Sequence, residues 1–515
     1  MAKVKKKLFR FIEILPQKKV FGSEDIFITG VSDDSRKVQK GNLFVAISGF
    51  TLDAHKFIPE AIRKGASVVV GEKEPQKSWL KAITYIKVSN SREALSYLAS
   101  FWYGQPAKKL KVIGVTGTDG KTTTANMIKA ILEGSGRKVG LISTIGAEIS
   151  KKVYETGAHV TNPEPLELQK ILNLMVMARC TYCVMEVTSQ GIDQQRIAGV
   201  DFDTAVLTNI TPEHLFYHKT FETYRDTKLK LFQKAKNAVL NKDDSSFPIF
   251  TKRISPITNI YTYSLKQKAD FWADKIQENA KVSFQLNYKN KKIDINLNFP
   301  GQFNVANALA AIAASRIYKI PFRIIKKALQ DFRLPEGRLE EIKNQKGIKI
   351  FIDFAHTPNA LQNVLTTLRP KTNAKLIVVF GCASERDDSK RPVMGEIAGR
   401  IADFTVLTSE DPRNESIARI IEEIAAGAKR GGAMEVDEGK FNSSNHQTRG
   451  NYFLKIPDRG EAIYFAINKI AQKGDLVVIC GKGHEKSMNI KGIEYPWSDR
   501  KAVTMALGGK VKKIS

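Results

Sequence analysis

Apolar and polar positions along this chain fall into short blocks of two kinds. Near-continuous apolar runs of four to seven residues recur at 110–115, 182–187, 204–208, 348–354, 376–380, 404–407 and 476–480. Runs of that length predict strands buried on both faces, as in a parallel sheet. Helix-length segments separate them, among them 123–132 and 305–318. Near the start, 42–47 and 66–70 read as strands. They flank 55–64, where Phe57, Ile58, Ala61 and Ile62 recur at helical spacing. Residues 282–288 and 293–299 instead alternate apolar and polar, which predicts antiparallel strands with one wet face. The polar stretch 33–37 reads as a loop, and 431–450, rich in Asn, Ser and Gly, as a surface loop. A Gly-Gln-Pro-Ala break at 104–107 and a new strand–helix series from 335 divide the chain into 1–108, 109–334 and 335–515. The expectation is an α/β protein of three domains, the central one built on a mostly parallel sheet and the first the smallest.

Most strand-like runs end in polar residues: Glu186-Val-Thr-Ser-Gln, Thr208-Asn-Ile-Thr-Pro-Glu-His, Asp353-Phe-Ala-His-Thr-Pro, Cys382-Ala-Ser-Glu-Arg-Asp, Thr408-Ser-Glu-Asp-Pro-Arg and Gly481-Lys-Gly-His-Glu. In open α/β sheets, ligands gather at the carboxyl edges of strands, so this recurrence builds a site. The sharpest case follows the run 110–115, where Gly117-Thr118-Asp119-Gly120-Lys121-Thr122-Thr123 leads into a helix. Glycines let successive N–H groups turn toward phosphate oxygens, and the helix adds its positive dipole end. Lys121 would reach the β- and γ-phosphates, and Thr122 would offer its hydroxyl to Mg²⁺. Val115 stands where a strict P-loop has its first glycine. Glu186 and His214, on neighbouring strand ends, are the further metal-ligand candidates.

Composition narrows the class. A 42% hydrophobic and 26% charged chain of 515 residues can bury several cores. No apolar run approaches the ~20 residues of a membrane span, and the basic start lacks the apolar core of a signal peptide. A cytoplasmic location is expected. The net charge of +28 invites a nucleic-acid reading, but the lysines are scattered and no basic stripe interleaves with aromatics. Four cysteines do not make a disulfide scaffold, and Cys180-x-x-Cys183 lacks a second pair to complete a zinc set. Cys183, which begins an apolar run, reads as a buried structural residue.

Taken in order, these motifs resemble the Mur ligase family over nearly the whole chain. They include Asp34-Ser-Arg, Gly41-Asn-Leu-Phe-Val-Ala, the P-loop, Glu186-Val-Thr-Ser with Gln194-x-Arg196, Tyr224 to Lys228, Gly301-Gln-Phe-Asn-Val-Ala-Asn-Ala and Gly337-Arg. Lys390-Arg-Pro, Asp411-Pro-Arg and Gly481-Lys-Gly-His-Glu continue the series. The resemblance implies an N-terminal domain for a UDP-sugar, a central ATPase and a Rossmann-like C-terminal domain for an amino acid. It implies ATP- and Mg²⁺-dependent amide formation on UDP-MurNAc-L-Ala-D-Glu by a monomer, through an acyl phosphate that a diamino acid attacks. Residue by residue, Lys121, Glu186, His214 and Lys228 would be catalytic. Gly117, Thr118, Asp119, Gly120, Lys121, Thr122, Thr123, Asn304, Arg338, Asp353 and His356 would hold ATP. Ser35, Thr161, Asn162, Ser189, Gln194 and Arg196 would hold the UDP-MurNAc-dipeptide. Arg386, Asp411, Arg413, Gly481 and Glu485 would hold the diamino acid. Thr122, Glu186, His214 and, if carbamylated, Lys228 would serve the metal. Helical spacing alone reads Lys228 as an ordinary surface lysine.

Four positions depart from the family's usual pattern. Asp119 replaces an Asn, Glu213 an Asp, Gln190 a His, and Asp411 the Asn before Pro-Arg. The last bears on which amino acid is added. Arg413 offers a planar fork to the far carboxylate of meso-diaminopimelate, whereas Asp411, as an acceptor only, would welcome a far ammonium. Diaminopimelate is the expectation. An L-lysine-adding enzyme, another Mur or folylpolyglutamate-type ligase, and a basic P-loop ATPase acting on nucleic acid are the alternatives.

Overall fold

The computed structural model describes residues 5–49, 52–157, 160–279, 281–437 and 450–513. Most of the 431–450 loop expectation, at 438–449, therefore lies outside the described residues. The first block is a five-stranded sheet in the order Lys18–Phe21, Thr84–Val88, Val68–Gly71, Asn42–Val45, Gly30–Ser32, parallel except for its first pair. Leu43, Val45, Val68 and Val70 point to one core with Phe11 and Leu95, and Phe44 and Val69 to another with Ile58 and Ala61. The helix expected over 55–64 is split. A 3₁₀ turn, Ala54–Phe57, is capped by Asp53, and the α-helix Ile58–Arg63 starts with Pro59 in its first turn. Proline lacks the N–H that would have continued the ladder backward, so it begins a helix more readily than it extends one.

The central block is an eleven-stranded sheet. Its parallel middle runs Val139–Ser143, Tyr182–Glu186, Lys111–Thr116, Thr204–Leu207, Asn237–Asn241, Asn259–Ser264 and Phe271–Glu278. The alternating segments form the antiparallel hairpin Val282–Tyr288/Lys291–Leu297, which extends this same sheet from its edge. The helices Lys121–Gly134 and Gln302–Ile317 pack on one face over Ile128, Ile131, Leu309 and Ile312. At the head of the first, Gly117 and Gly120 have φ of +149° and +83°. A Cβ on Gly117 would lie 1.8 Å from Thr208 Oγ1, and one on Gly120 would lie 2.3 Å from Asn307 Oδ1. Only glycine fits either place.

The third block has seven strands in the order Glu340–Ile342, Lys349–Asp353, Leu476–Cys480, Leu376–Phe380, Phe404–Leu407, Tyr452–Lys455, Met434–Glu435. All pairs but the first are parallel. Beneath the carboxyl ends lies Arg459, fully buried, forked onto both oxygens of the equally buried Asp499 at 2.8 and 2.7 Å. The same guanidinium donates to Cys480 O at 2.9 Å and Ser409 O at 3.3 Å. Arg459→Leu would strand the Asp499 carboxylate. Removing one partner of a buried pair costs about 3–5 kcal/mol, so the variant should unfold at distinctly lower denaturant by tryptophan fluorescence, Trp497 being hydrogen-bonded to Asp499.

All four cysteines are free and buried, and burial pushes the Cys183 thiol far up. No helix among the described residues is long and apolar enough to cross a membrane.

Candidate active site

The carboxyl edges of the central and C-terminal sheets face one cavity of about 320 Å³, within the size range of small-molecule sites. The P-loop forms its floor. Lys121 folds back so that its Nζ donates to Gly117 O and Thr118 O at 3.1 and 2.7 Å. From the helix Phe221–Gln233, Lys228 donates to the same Gly117 carbonyl at 2.9 Å. Lys228 is 1% exposed, so the surface-lysine reading of helical spacing is corrected. The 3.6-residue period turns it inward with Tyr224, whose ring lies 4.5 Å from its Nζ. Burial and then the charge of Lys121 push the Lys228 ammonium well below the usual lysine value, although Glu213 and Asp119 oppose them.

Glu186, fully buried at its strand end, accepts from Thr122 Oγ1 at 3.1 Å, from Thr144 N at 3.1 Å and from Thr144 Oγ1 at 3.3 Å. His214 sits in the left-handed region at φ 56°, which turns its ring into the cavity wall. Burial holds its pKa down at about 4 against the pull of Glu213, so the imidazole is neutral and can ligate. No group of three or more His, Cys, Asp or Glu side chains suited to a metal occurs among the described residues. Magnesium takes one or two carboxylates and completes its shell with phosphate oxygens and water. Thr122, Glu186 and His214 are the donors that would hold it.

The C-terminal block closes the cavity through three contacts. Arg338 Nη2 donates to Thr122 Oγ1 at 3.1 Å, while its guanidinium lies 4.5 Å over the Phe354 ring. His356 Nε2 is 3.2 Å from Glu213 Oε1. Burial acts to raise the Glu213 carboxyl, but His214, His356 and Lys390 outweigh it and hold it well below the usual range. Asp119 accepts from Thr357 Oγ1 at 3.1 Å and Asn359 Nδ2 at 2.7 Å. Two of the positions that depart from the family pattern, Asp119 and Glu213, thus both meet the segment 356–359. Asp353 accepts the N–H groups of Leu339 and Ala355 at 2.7 and 2.8 Å. Asn304 donates to Pro300 O and accepts from Asn307, at the start of its helix.

Thr161, Asn162, Ser189 and Arg196 line the same cavity, and Gln194 does not. Asn162 bridges Glu186 O and Thr188 N, and Arg196 Nη1 donates to Asn162 O at 2.8 Å. Ser189 Oγ is 2.9 Å from His218 Nε2, a partner with no sequence signal beyond its helical context. Ser35 lies apart, in the first block, bonded to Glu60 Oε2 at 2.8 Å. Of the residues expected at the diamino acid, Arg386 and Glu485 line the cavity, while Asp411, Arg413 and Gly481 do not. The Asp411 carboxylate, read from sequence as open to a ligand ammonium, already accepts from Lys482 Nζ at 2.8 Å. Sequence reasoning missed Thr144, which follows the apolar run 139–143, and Lys390 and Lys482, whose burial leaves no trace in a lysine-rich chain.

Comparison with known proteins matches family models over most of the chain. These are the Mur ligase family catalytic domain at 27–103, the Mur ligase middle domain at 115–315, and the Mur ligase glutamate ligase domain at 337–483. The UDP-N-acetylmuramoyl-L-alanyl-D-glutamate–2,6-diaminopimelate ligase of Clostridium botulinum is 40% identical over 480 residues, 92% of this chain and 94% of its own. The same-named enzyme of Clostridium tetani is 40% identical over 487 residues, 94% and 95% of the two chains. A solved structure of such a ligase superposes with a TM-score of 0.65 at 31% identity, covering 94% and 95%. The MurF ligase of Thermotoga maritima in complex with ADP shares the fold, with a TM-score of 0.59 at 19% identity over 93% and 97% of the chains.

Proposed function

Because the chain belongs to the Mur ligase family, we propose that it joins a diamino acid, meso-diaminopimelate, to the D-glutamate side-chain carboxylate of UDP-MurNAc-L-Ala-D-Glu, using ATP, in peptidoglycan precursor synthesis. The observation that carries this reading is one cavity lined by the P-loop, Glu186, His214, Arg196, Arg386 and Glu485, flanked by relatives of that activity along almost the full chain.

The substrate carboxylate attacks the γ-phosphorus and ADP leaves. The amine then attacks the acyl carbon and inorganic phosphate leaves, so hydroxide never has to depart from a carboxylate. The loop 117–123 cradles the phosphates with its N–H groups, and Lys121 swings from its own carbonyls to the transferring charge. Arg338, Asp353, His356 and Asn304 complete the nucleotide pocket. Magnesium, when bound at Thr122, Glu186 and His214, neutralises charge on the phosphates. Thr161, Asn162, Ser189, Gln194 and Arg196 hold the dipeptide end, and Ser35 with its loop holds the uridine. Residues 1–108, 109–334 and 335–515 are the corresponding UDP-sugar, ATP and amino-acid domains of a cytoplasmic monomer.

Arg413 supports diaminopimelate. Arg413→Ala should lower kcat/KM for diaminopimelate far more than for L-lysine, by roughly ten- to hundred-fold, the range of a charge-assisted hydrogen bond. The assignment as a whole is tested by phosphate release from ATP with UDP-MurNAc-L-Ala-D-Glu and a panel of amino acids. Fastest release with diaminopimelate, and weaker release with L-lysine, is expected. A tenfold preference for L-lysine would change the third residue, and release without the muramoyl-dipeptide would remove the ligase reading.

A further inference from the structure

Two loops at the carboxyl edge of the C-terminal sheet carry the residues proposed for the diamino acid. One follows the strand Phe404–Leu407 and bears Asp411 and Arg413. The other follows Leu476–Cys480 and bears Gly481 and Glu485. Between them the Lys482 side chain is 0% exposed. Its Nζ donates to Asp411 Oδ1 at 2.8 Å and lies 2.5 Å from Glu485 Oε2, so one cation ties the loops together. The pairing is lopsided with respect to the cavity: Glu485 lines it, and Asp411 sits behind the lining. Asp411 Oδ1 also accepts the Asn489 N–H at 3.0 Å, from the hairpin Ser487–Ile490/Ile493–Pro496. That hairpin grips the backbone of Arg413 on both sides, through Arg413 N to Asn489 O at 3.0 Å and Lys491 N to Arg413 O at 2.7 Å.

A wholly buried ammonium persists only when carboxylates compensate it, and buried carboxylates need it equally. The consequence for the subsite is electrostatic. The guanidinium of Arg413 has the Glu385 carboxylate 4.0 Å away, so part of its charge is already answered within the protein. Lysine and meso-diaminopimelate both present an ammonium at the far end, but only diaminopimelate adds a carboxylate there. Unneutralised charge on Asp411 and Glu485 would repel that carboxylate and leave lysine unpenalised.

We propose that Lys482 is a positioning residue that sets the choice of diamino acid, neutralising Asp411 and drawing on Glu485 so that Arg386 and Arg413 dominate where the far carboxylate lies. This rests on the proposed function. It also accounts for how an aspartate can stand at 411, where the family usually has a neutral asparagine, without turning the subsite against a dicarboxylate.

The test compares kcat/KM for meso-diaminopimelate and L-lysine at saturating ATP and UDP-MurNAc-L-Ala-D-Glu, in wild type, Lys482→Met, Asp411→Asn and the double variant. In Lys482→Met the diaminopimelate-to-lysine ratio should fall about tenfold or more, through KM for the diamino acid rather than for ATP. Adding Asp411→Asn should recover most of that fall. Asp411→Asn alone, which leaves Lys482 less compensated, should raise the ratio by about threefold or more. A folded Lys482→Met whose ratio stays within about twofold of wild type overturns the role. Should that variant fail to fold, Asp411→Asn decides, and a ratio that does not rise overturns it. A wild type that ligates neither compound removes the proposed function itself, whereas an unmoved ratio in an active enzyme removes only the part given to Lys482.

Discussion

Replacing Lys121 by alanine is expected to abolish measurable ligation and leave the fold intact. The side chain is half-buried, and its polar contacts are two carbonyls of its own loop. Those carbonyls are held by the loop's glycines whether or not the ammonium is present. The fold therefore loses little, while the reaction loses the cation that travels with the transferring phosphoryl group. Removing one preorganised stabiliser of transition-state charge costs roughly a hundred- to a thousand-fold in kcat. If Lys121 neutralises charge through the whole transfer, as proposed, its loss belongs at the upper end. Phosphate release measured beside a thermal melt separates the two effects. Near-wild-type turnover from a folded variant would end the P-loop assignment.

The second large effect is expected at Lys228. Its side chain is buried, and burial together with the charge of Lys121 holds its ammonium well below the usual lysine value. The uncharged form of such an amine adds carbon dioxide through its nitrogen lone pair and gives up a proton to solvent, and the carbamate anion so formed would be stabilised by the neighbouring Lys121 charge. The resemblance to the Mur ligase family implies this modification at Lys228. Lys228→Ala should therefore lose nearly all activity by losing an anion rather than a cation. The signature is partial recovery on adding short-chain carboxylic acids, which supply a carboxylate in the space the truncated side chain leaves. Lys228→Arg distinguishes the alternatives further: it keeps a positive charge, cannot be carbamylated, and should stay inactive. High activity in the alanine variant, or full activity in the arginine variant, would rule the role out.

Much of this site was legible from the order of polar residues after apolar runs. Whatever follows a strand in a parallel sheet must lie at the carboxyl edge, so Glu186 and His214 could be assigned to the rim of the central sheet, and Arg386 to that of the C-terminal sheet, before any partner was known. Strand order was not legible. Leu476–Cys480 enters between Lys349–Asp353 and Leu376–Phe380, pairings to partners far away in the chain that no local pattern encodes. Partnership of like-looking residues was equally hidden. Lys228 and Lys482 are two lysines among many, and helical period says only which face a residue takes, not whether that face is buried. Asp411 shows the same gap. Its chemistry as an acceptor was read correctly, but the ammonium it accepts from belongs to the protein. The Asp119 and Glu213 departures were visible as changes of residue type, whereas their common target at 356–359 required the fold.

The fork of Arg459 has an evolutionary reach that its role in stability does not convey. One guanidinium grips the carbonyl at the root of each loop proposed for the diamino acid, Ser409 and Cys480, and is itself fixed by Asp499. The spacing of the two loop roots is thus set from beneath, by groups no substrate meets. Side chains above can be exchanged, an asparagine for an aspartate at 411 among them, without the backbone drifting apart. A lineage holding this clamp can change the side chains above it one at a time while the spacing of the two loop roots stays fixed.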